Sequence, residues 1–279
     1  MLQNLLSEDP KQGEISLIPP LKWAGGKRWF ANKHLDLLPE KFNRYIEPFL
    51  GSGALFFTVR PKSSILSDIN HELINLYNVL CNSPDLLARK MQEHQRKHCT
   101  EYYYSIRRSR PRNEVYQAAR TLYLNRTCWN GLYRVNLNGD FNVPKGTKDK
   151  VVLATDNFKE LAKTLNKAII KCQDFELTLD EAQEGDFAFI DPPYTVAHNN
   201  NGFIKYNQNL FRWEDQLRLR DAVIRAATRG VKVLVTNAAH PSVMELYQDF
   251  EQFIINRAGV IAGDASARGR YEELVARWY

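Results

Sequence analysis

The sequence predicts an α/β fold, a mainly parallel sheet interrupted part-way by a mainly helical, basic insertion. Three observations predict it. Short apolar runs that suit buried strands alternate with stretches of helical period before about residue 83 and again after residue 150. Between them, in 84–150, apolar residues recur at helical spacing and the charge is lopsided: 14 Lys+Arg stand against 6 Asp+Glu, so the rest of the chain carries −2 of the total +6. Finally, Leu50-Gly51-Ser52-Gly53 forms a glycine turn between a strand-like and a helix-like run, where backbone can approach a ligand at the edge of such a sheet.

Composition excludes several classes. With 44% apolar and 25% charged residues the chain is globular, and no apolar run approaches membrane length. The first eleven residues lack the basic and apolar regions of an export signal, so a soluble, cytoplasmic protein with no membrane partner is expected. Cys81, Cys99, Cys128 and Cys172 are scattered without a C-x-x-C pair, which suits neither a zinc site nor a disulfide framework. His94 and His98, at i and i+4, read as a solvated helix face; no metal site is expected.

Taken in order, residues 1–18 read as an N-terminal arm without periodicity. Residues 19–83 and 151–279 read as the two halves of one domain, with 84–150 inserted between them. After Pro19-Pro20, the run Lys22-Trp23-Ala24-Gly25-Gly26-Lys27 leads into a helical stripe of Trp29, Phe30, Leu35 and Leu38 that ends before Pro39. Residues 43–49 read as a strand, 54–59 as a helix and 64–67 as a second strand ending at Asp68, 17 positions beyond Gly51. At that spacing an acidic residue meets ribose hydroxyls in nucleotide-binding folds; a structural cap on the helix of 70–80 is the competing role. Helices follow at 86–98, 101–110 and 114–126.

Asn138-Gly139 then marks a β-hairpin with arms 133–137 and 140–143, rich in Arg and Asn. Such a ribbon can enter a DNA groove, and the basic block interleaved with Tyr102, Tyr103, Tyr104, Tyr116, Tyr123, Trp129 and Tyr133 suits a polyphosphate backbone. Solvent-exposed helix faces and a surface hairpin of no special role are the plain alternatives. Beyond residue 150 come helix 156–166, strand 168–172, helix 177–182, a strand leading to Asp191, helix 214–228, strand 231–236, helix 241–249 and strand 252–256. Residues 273–278 close the chain as an antiparallel edge strand, and 195–210 reads as a lid.

The strand Phe187-Ala188-Phe189-Ile190 ends in Asp191-Pro192-Pro193-Tyr194. Two successive prolines donate no backbone hydrogen bond and fix their own φ, so acceptor oxygens stand rigidly beside an aromatic face. That set suits a planar amino group whose ring stacks on Tyr194.

These motifs, in this order, resemble the DNA adenine methylases of the Dam type: 22–27, Glu47-Pro48-Phe49-Leu50-Gly51-Ser52-Gly53, Asp68-Ile69-Asn70, the block from Leu124-Asn125-Arg126 to Val143-Pro144, and 191–194. The resemblance spans about residue 20 to the end. It implies a Rossmann-like, S-adenosylmethionine-dependent methyltransferase sheet with an inserted target-recognition domain, releasing S-adenosylhomocysteine and needing no metal. It assigns Trp23, Lys27, Phe49, Asp68 and Asp191 to the cofactor, with Asp68 on the ribose. Asp191, Pro192 and Tyr194 are assigned to catalysis on a flipped adenine, and Lys22, Trp129, Asn130, Leu132 and Arg134 to DNA at a GATC site. It further implies double-stranded DNA as partner, a monomer when free, nucleoid association in a bacterial or phage setting, and leaves open a cognate restriction endonuclease. One departure stands out: after Pro144 the family often continues Gly-Arg-Tyr, whereas this chain has Lys145-Gly146-Thr147-Lys148. Cytosine N4, RNA, or a DNA-binding regulator without turnover remain the alternative readings.

Overall fold

The computed structural model describes residues 17–136, 138–196, 211–258 and 270–279. Most of the expected arm, and the expected lid beyond Val196, lie outside the described residues. Among these, seven strands form one mixed sheet in the order β3-β2-β1-β4-β5-β7-β6: β1 (Tyr45–Glu47), β2 (Ser64–Asp68), β3 (Ala168–Cys172), β4 (Phe187–Ile190), β5 (Lys232–Ala238), β6 (Glu251–Ala258) and β7 (Arg270–Trp278). The first five are parallel to their partners within the order where registers are given; β7 runs antiparallel to both β5 and β6. Strand order reverses between β1 and β4, and in such sheets ligands bind at the carboxyl ends beside that reversal.

The chain divides into two compact units. One holds the described residues up to Leu37 with Leu50–Gln173; the other holds Leu38–Phe49 with Asp174–Tyr279. In the first, β2 and β3 pair from Ser64↔Ala168 to Asp68↔Cys172. Its helices are α1 (Arg28–Lys33), α2 (Ala54–Val59), α3 (His71–Asn82), α4 (Pro84–Lys97), α5 (Thr100–Arg108), α6 (Glu114–Thr127) and α7 (Phe158–Leu165). Helix starts follow from side-chain caps: the Asn70, Asn113 and Asn157 carbonyl oxygens accept first-turn amides. Every residue of α6 from Ala118 to Thr127 is buried, so α6 is the centre of this unit and not an amphipathic surface helix. Its buried Arg126 is satisfied by the carbonyls of Pro20 and Val151 and by both carboxylate oxygens of Asp156, at 2.6 and 2.8 Å.

The second unit holds β1, β4, β5, β7 and β6 with α8 (Phe175–Asp180), α9 (Trp213–Thr228) and α10 (Pro241–Leu246). All four residues of β4 are buried, as a strand covered on both faces requires. Arg44 clasps Asp186 through Nε and Nη2, fixing the entry of β1 to that of β4. Arg218 and Arg225 on α9 pair with Asp174, Glu176 and Asp180 around α8.

Three expectations change, and one open alternative closes. The last strand is antiparallel but interior: β7 lies between β5 and β6, which takes the edge. Leu274, Val275 and Ala276 are consecutive and buried, the pattern of a strand covered on both faces, whereas residues 251–256 of β6 are all exposed or half-buried. The strand of 43–49 shortens to three residues. The helix-capping role falls to Asn70, not Asp68. His94 and His98 are not on a solvated face: His94 stacks on Tyr123 at 4.7 Å and bonds the Tyr102 hydroxyl at 2.9 Å, and His98 bonds the Tyr123 hydroxyl at 2.9 Å. In the region of the expected hairpin, the chain turns through Gly139 and, among the described residues, Val135 pairs with Phe141 in an isolated antiparallel bridge. No helix among the described residues is long and apolar enough to cross a membrane.

Candidate active site

In the first unit the site begins with the glycine turn. Gly51 and Gly53 both take positive φ, +48° and +63°, which glycine alone adopts without strain. A Cβ on Gly51 would also lie 2.9 Å from Cδ1 of Trp23, so the missing side chain lets the indole close over the loop. The Asp68 carboxylate at the end of β2 accepts from the amides of Gly51 at 3.1 Å and Asn70 at 2.9 Å, while the Tyr77 hydroxyl donates to the Gly51 carbonyl at 3.0 Å. Burial pushes the Asp68 carboxyl up, and those amide donors oppose the shift. A phosphate would be repelled here, because the turn amide that could receive it is committed to a carboxylate. The carboxylate retains acceptor capacity for a hydroxyl donor.

Trp23 stacks on Tyr133 at 5.1 Å and 29°, and the Tyr133 hydroxyl donates to Glu72 at 3.1 Å. Lys27 caps α1; its side chain is buried and its ammonium donates to the Gly25 carbonyl at 3.3 Å. Asn125 joins this region to the next: its amide accepts from the Lys22 amide at 3.0 Å and donates to the Lys22 carbonyl at 2.8 Å and the Gly131 carbonyl at 3.3 Å. The turn of Trp129–Gly131 is thereby set beside Lys22. Trp129 is 53% exposed, Asn130 is exposed in the left-handed conformation at φ +55°, and Leu132 is half-buried. Arg134 is oriented by a 2.8 Å bond from Nε to Asn142. Lys22, Arg28, Lys148 and Lys150 line one cavity of about 210 Å³ with Arg126 and Leu153. The Lys22 ammonium is held below its ordinary range by its hydrogen bond with Lys148, then by burial and the charges of Lys148 and Arg28.

In the second unit, Asp191 leaves β4 beside the strand-order reversal. Thr236 on β5 donates to the Asp191 carboxylate at 2.8 Å, and the Tyr194 hydroxyl donates to Glu273 on β7 at 2.8 Å. Gln216 on α9 donates to the Pro193 carbonyl at 3.3 Å and is itself oriented by Asn237. Burial, then the negative charges of Asp191 and Glu273, push the Tyr194 phenol well up, so it stays a donor. Phe49, following β1, stacks on Phe175 at 5.4 Å and meets Phe211 edge-on. Glu47 on β1 is a buried carboxylate that accepts from Tyr45 at 2.9 Å.

Several of these residues were missed by sequence reasoning. Asn125 and Glu47 stand in motifs that give them no role of their own, Tyr133 is expected only among the aromatics of the basic block, and Thr236 and Glu273 are marked in sequence only as parts of strands. The one available signal for Glu273 was a carboxylate two residues from Val275, on the face that a buried strand turns inward.

Residues 23–260 match the family described as D12 class N6 adenine-specific DNA methyltransferase. The chain belongs to the D12 class. This D12 methyltransferase is 37% identical to the type II methyltransferase M1.LlaDCHI of Lactococcus lactis subsp. cremoris over 96% of this chain and 98% of that one. It is 33% identical to the type II methyltransferase M.MjaIII of Methanocaldococcus jannaschii, over 93% and 99%. It is also 30% identical to the DNA adenine methylase of Escherichia coli K12, over 92% and 93%.

Proposed function

We propose that this D12 methyltransferase moves a methyl group from S-adenosylmethionine to N6 of an adenine turned out of duplex DNA, with GATC as its target. The observation that carries the reading is the rigid Asp191-Pro192-Pro193-Tyr194 tetrapeptide beside the strand-order reversal, its aspartate held by Thr236 and its tyrosine by Glu273.

Adenine N6 is a poor nucleophile because its lone pair is drawn into the ring. The Asp191 carboxylate and the Pro192 carbonyl accept its two hydrogens and pull the nitrogen toward tetrahedral geometry, while the Tyr194 face stacks the base and recovers part of the few kcal/mol that leaving the helix costs. Positive charge grows on N6 as its bond to the methyl carbon forms and the carbon–sulfur bond breaks; Asp191 opposes that charge in sign, and one N6 proton is then released to solvent to leave neutral N6-methyladenine. Asp68 would take the ribose hydroxyls, and Trp23, Lys27 and Phe49 are the further residues that the family resemblance assigns to the cofactor. S-Adenosylmethionine supplies an electrophilic methyl on a sulfonium, with S-adenosylhomocysteine left behind. Holding N6 in line with that methyl contributes about 7 kcal/mol or more of the barrier lowering.

The segment 84–150 supplies target recognition together with the residues packed beside it: Trp129 and Leu132 enter the duplex, Asn130 and Arg134 with Lys22 read base edges, and Arg28, Lys148 and Lys150 take backbone phosphate. A cognate restriction endonuclease, as the type II names of two relatives suggest, is a partner to seek.

The test is methyl transfer from labelled S-adenosylmethionine to a GATC duplex and to one with that site scrambled. Label on adenine N6 of the first alone, abolished by Asp191→Ala, is expected. Label on both discards GATC. Label on cytosine or RNA, or DNA binding without transfer, overturns the reading.

A further inference from the structure

Glu273 lies outside the residues that match the family, on the last strand of the chain, yet it is 3% exposed and carries a hydrogen bond from a tetrapeptide side chain. Its register explains how it gets there. Strand β7 pairs with β5 so that Ala238 faces Glu273 and Thr236 faces Val275. Residues two apart share a face of a strand, so Thr236 and Glu273 are near neighbours on one face of adjacent strands. Thr236 is wholly buried and ends on Asp191 at 2.8 Å; Glu273 ends on Tyr194 at 2.8 Å.

The geometry points to Glu273 as the positioning residue that sets the Tyr194 ring for the substrate base, with Thr236 doing the same for Asp191. The proposal rests on the functional reading above. Its physical content is directional. Pro192 and Pro193 fix the backbone on the near side of Tyr194, but a tyrosine ring still turns about Cα–Cβ and Cβ–Cγ. A bond from its far end to a buried acceptor on another strand removes that freedom. The platform is then ordered before the base arrives, and the ordering cost does not fall on the substrate complex. Burial and two nearby carboxylates keep the phenol protonated, so the hydroxyl donates throughout the working range. A plain structural bond would serve stability alone. A positioning bond must also act through Tyr194, and on the chemical step more than on cofactor affinity.

The experiment is a double-mutant cycle of Glu273→Gln and Tyr194→Phe, with Glu273→Leu as a second variant, read in single-turnover methyl transfer on a GATC duplex and in S-adenosylmethionine affinity. Gln keeps the volume and an acceptor oxygen, and thermal melting checks that each variant is folded. A duplex with 2-aminopurine at the target adenine adds a fluorescence reading of the extruded base. Misplacing a positioned group by about 1 Å costs up to about 100-fold in rate, so we expect about 10-fold loss for Glu273→Gln, more for Glu273→Leu, and unchanged cofactor affinity. In the Tyr194→Phe background, Glu273→Gln should add less than about 2-fold, because contacting residues couple. The 2-aminopurine signal should change alike in both single variants. Additive losses, a wild-type rate in folded Glu273→Leu, or a loss confined to cofactor affinity would each overturn the inference while the functional reading stands. If the wild-type protein transfers no methyl to adenine, that reading fails first, and the inference falls with it.

Discussion

Gly51 carries two constraints at one atom: positive φ and an indole where a Cβ would be. Gly51→Ala should therefore cost about 1–2 kcal/mol in backbone strain and also push Trp23 off the loop, with a loss of at least about tenfold in S-adenosylmethionine affinity by calorimetry. Gly139, at φ +77° with nothing within 4 Å of its would-be Cβ, is the control. Gly139→Ala should show the strain without loss of affinity. His94 gives a pH prediction. Burial pushes its imidazole from the ordinary 6.5 down to about 4, with Lys90 and Lys97 in the same direction and Glu93 opposing. A depressed value means that the unfolded chain binds the proton first, so its stabilising contribution is whole above pH 6.5 and is lost as pH falls toward 4. Denaturant melts at pH 8 and pH 5 should show wild type losing more stability than His94→Gln; equal losses would place the acid sensitivity elsewhere. Sequence reading missed this pair because i, i+4 histidines among charged neighbours look solvated, and only the fold brings Tyr102 and Tyr123 against them.

Among elements, α6 does the most. Its Asn125 spans Lys22 and Gly131 with three hydrogen bonds, so that the helix braces the Lys22 segment and the exposed Trp129 turn together. Asn125→Ala leaves buried partners unsatisfied and should cost about 1–3 kcal/mol by chemical denaturation. DNA affinity, measured by anisotropy, should fall further than cofactor affinity; an equal fall would mean that the two segments are not separately braced. The strand and helix positions of the α/β parts were legible in sequence because hydrophobic period, glycine turns and caps are local signals. β3 over 168–172 and helix 114–126 are examples within a residue of their observed ends. The order of β6 and β7 was not legible: both are part-apolar strands of similar length, eight and nine residues, and which one is covered depends on partners far away in sequence. For the site, the motifs named Asp68, Asp191 and Tyr194. Their supports, Thr236 and Glu273, lie 45 and 79 positions beyond the residues they hold, where no local pattern reports them.

Across the whole molecule, charge is the ordering quantity. The basic excess is confined to 84–150, and the cavity lined by Lys22, Arg28, Lys148 and Lys150 concentrates like charges to the point that Lys22 is harder to protonate. A polyanion relieves that repulsion. Lys148→Gln and Lys150→Gln should each lower the slope of log affinity for duplex DNA against log salt by about one, and weaken specific and non-specific binding alike. A slope unchanged by both would remove these lysines from the phosphate contacts.

The interior place of β7 also has a consequence in time. Synthesis delivers β5 and then β6 while the slot between them is still empty, and both flanking strand edges remain unpaired until the last strand emerges. Tyr194 waits for Glu273 over the same interval. The sheet and the hold on Tyr194 are thus completed by one event, the insertion of β7 between β5 and β6.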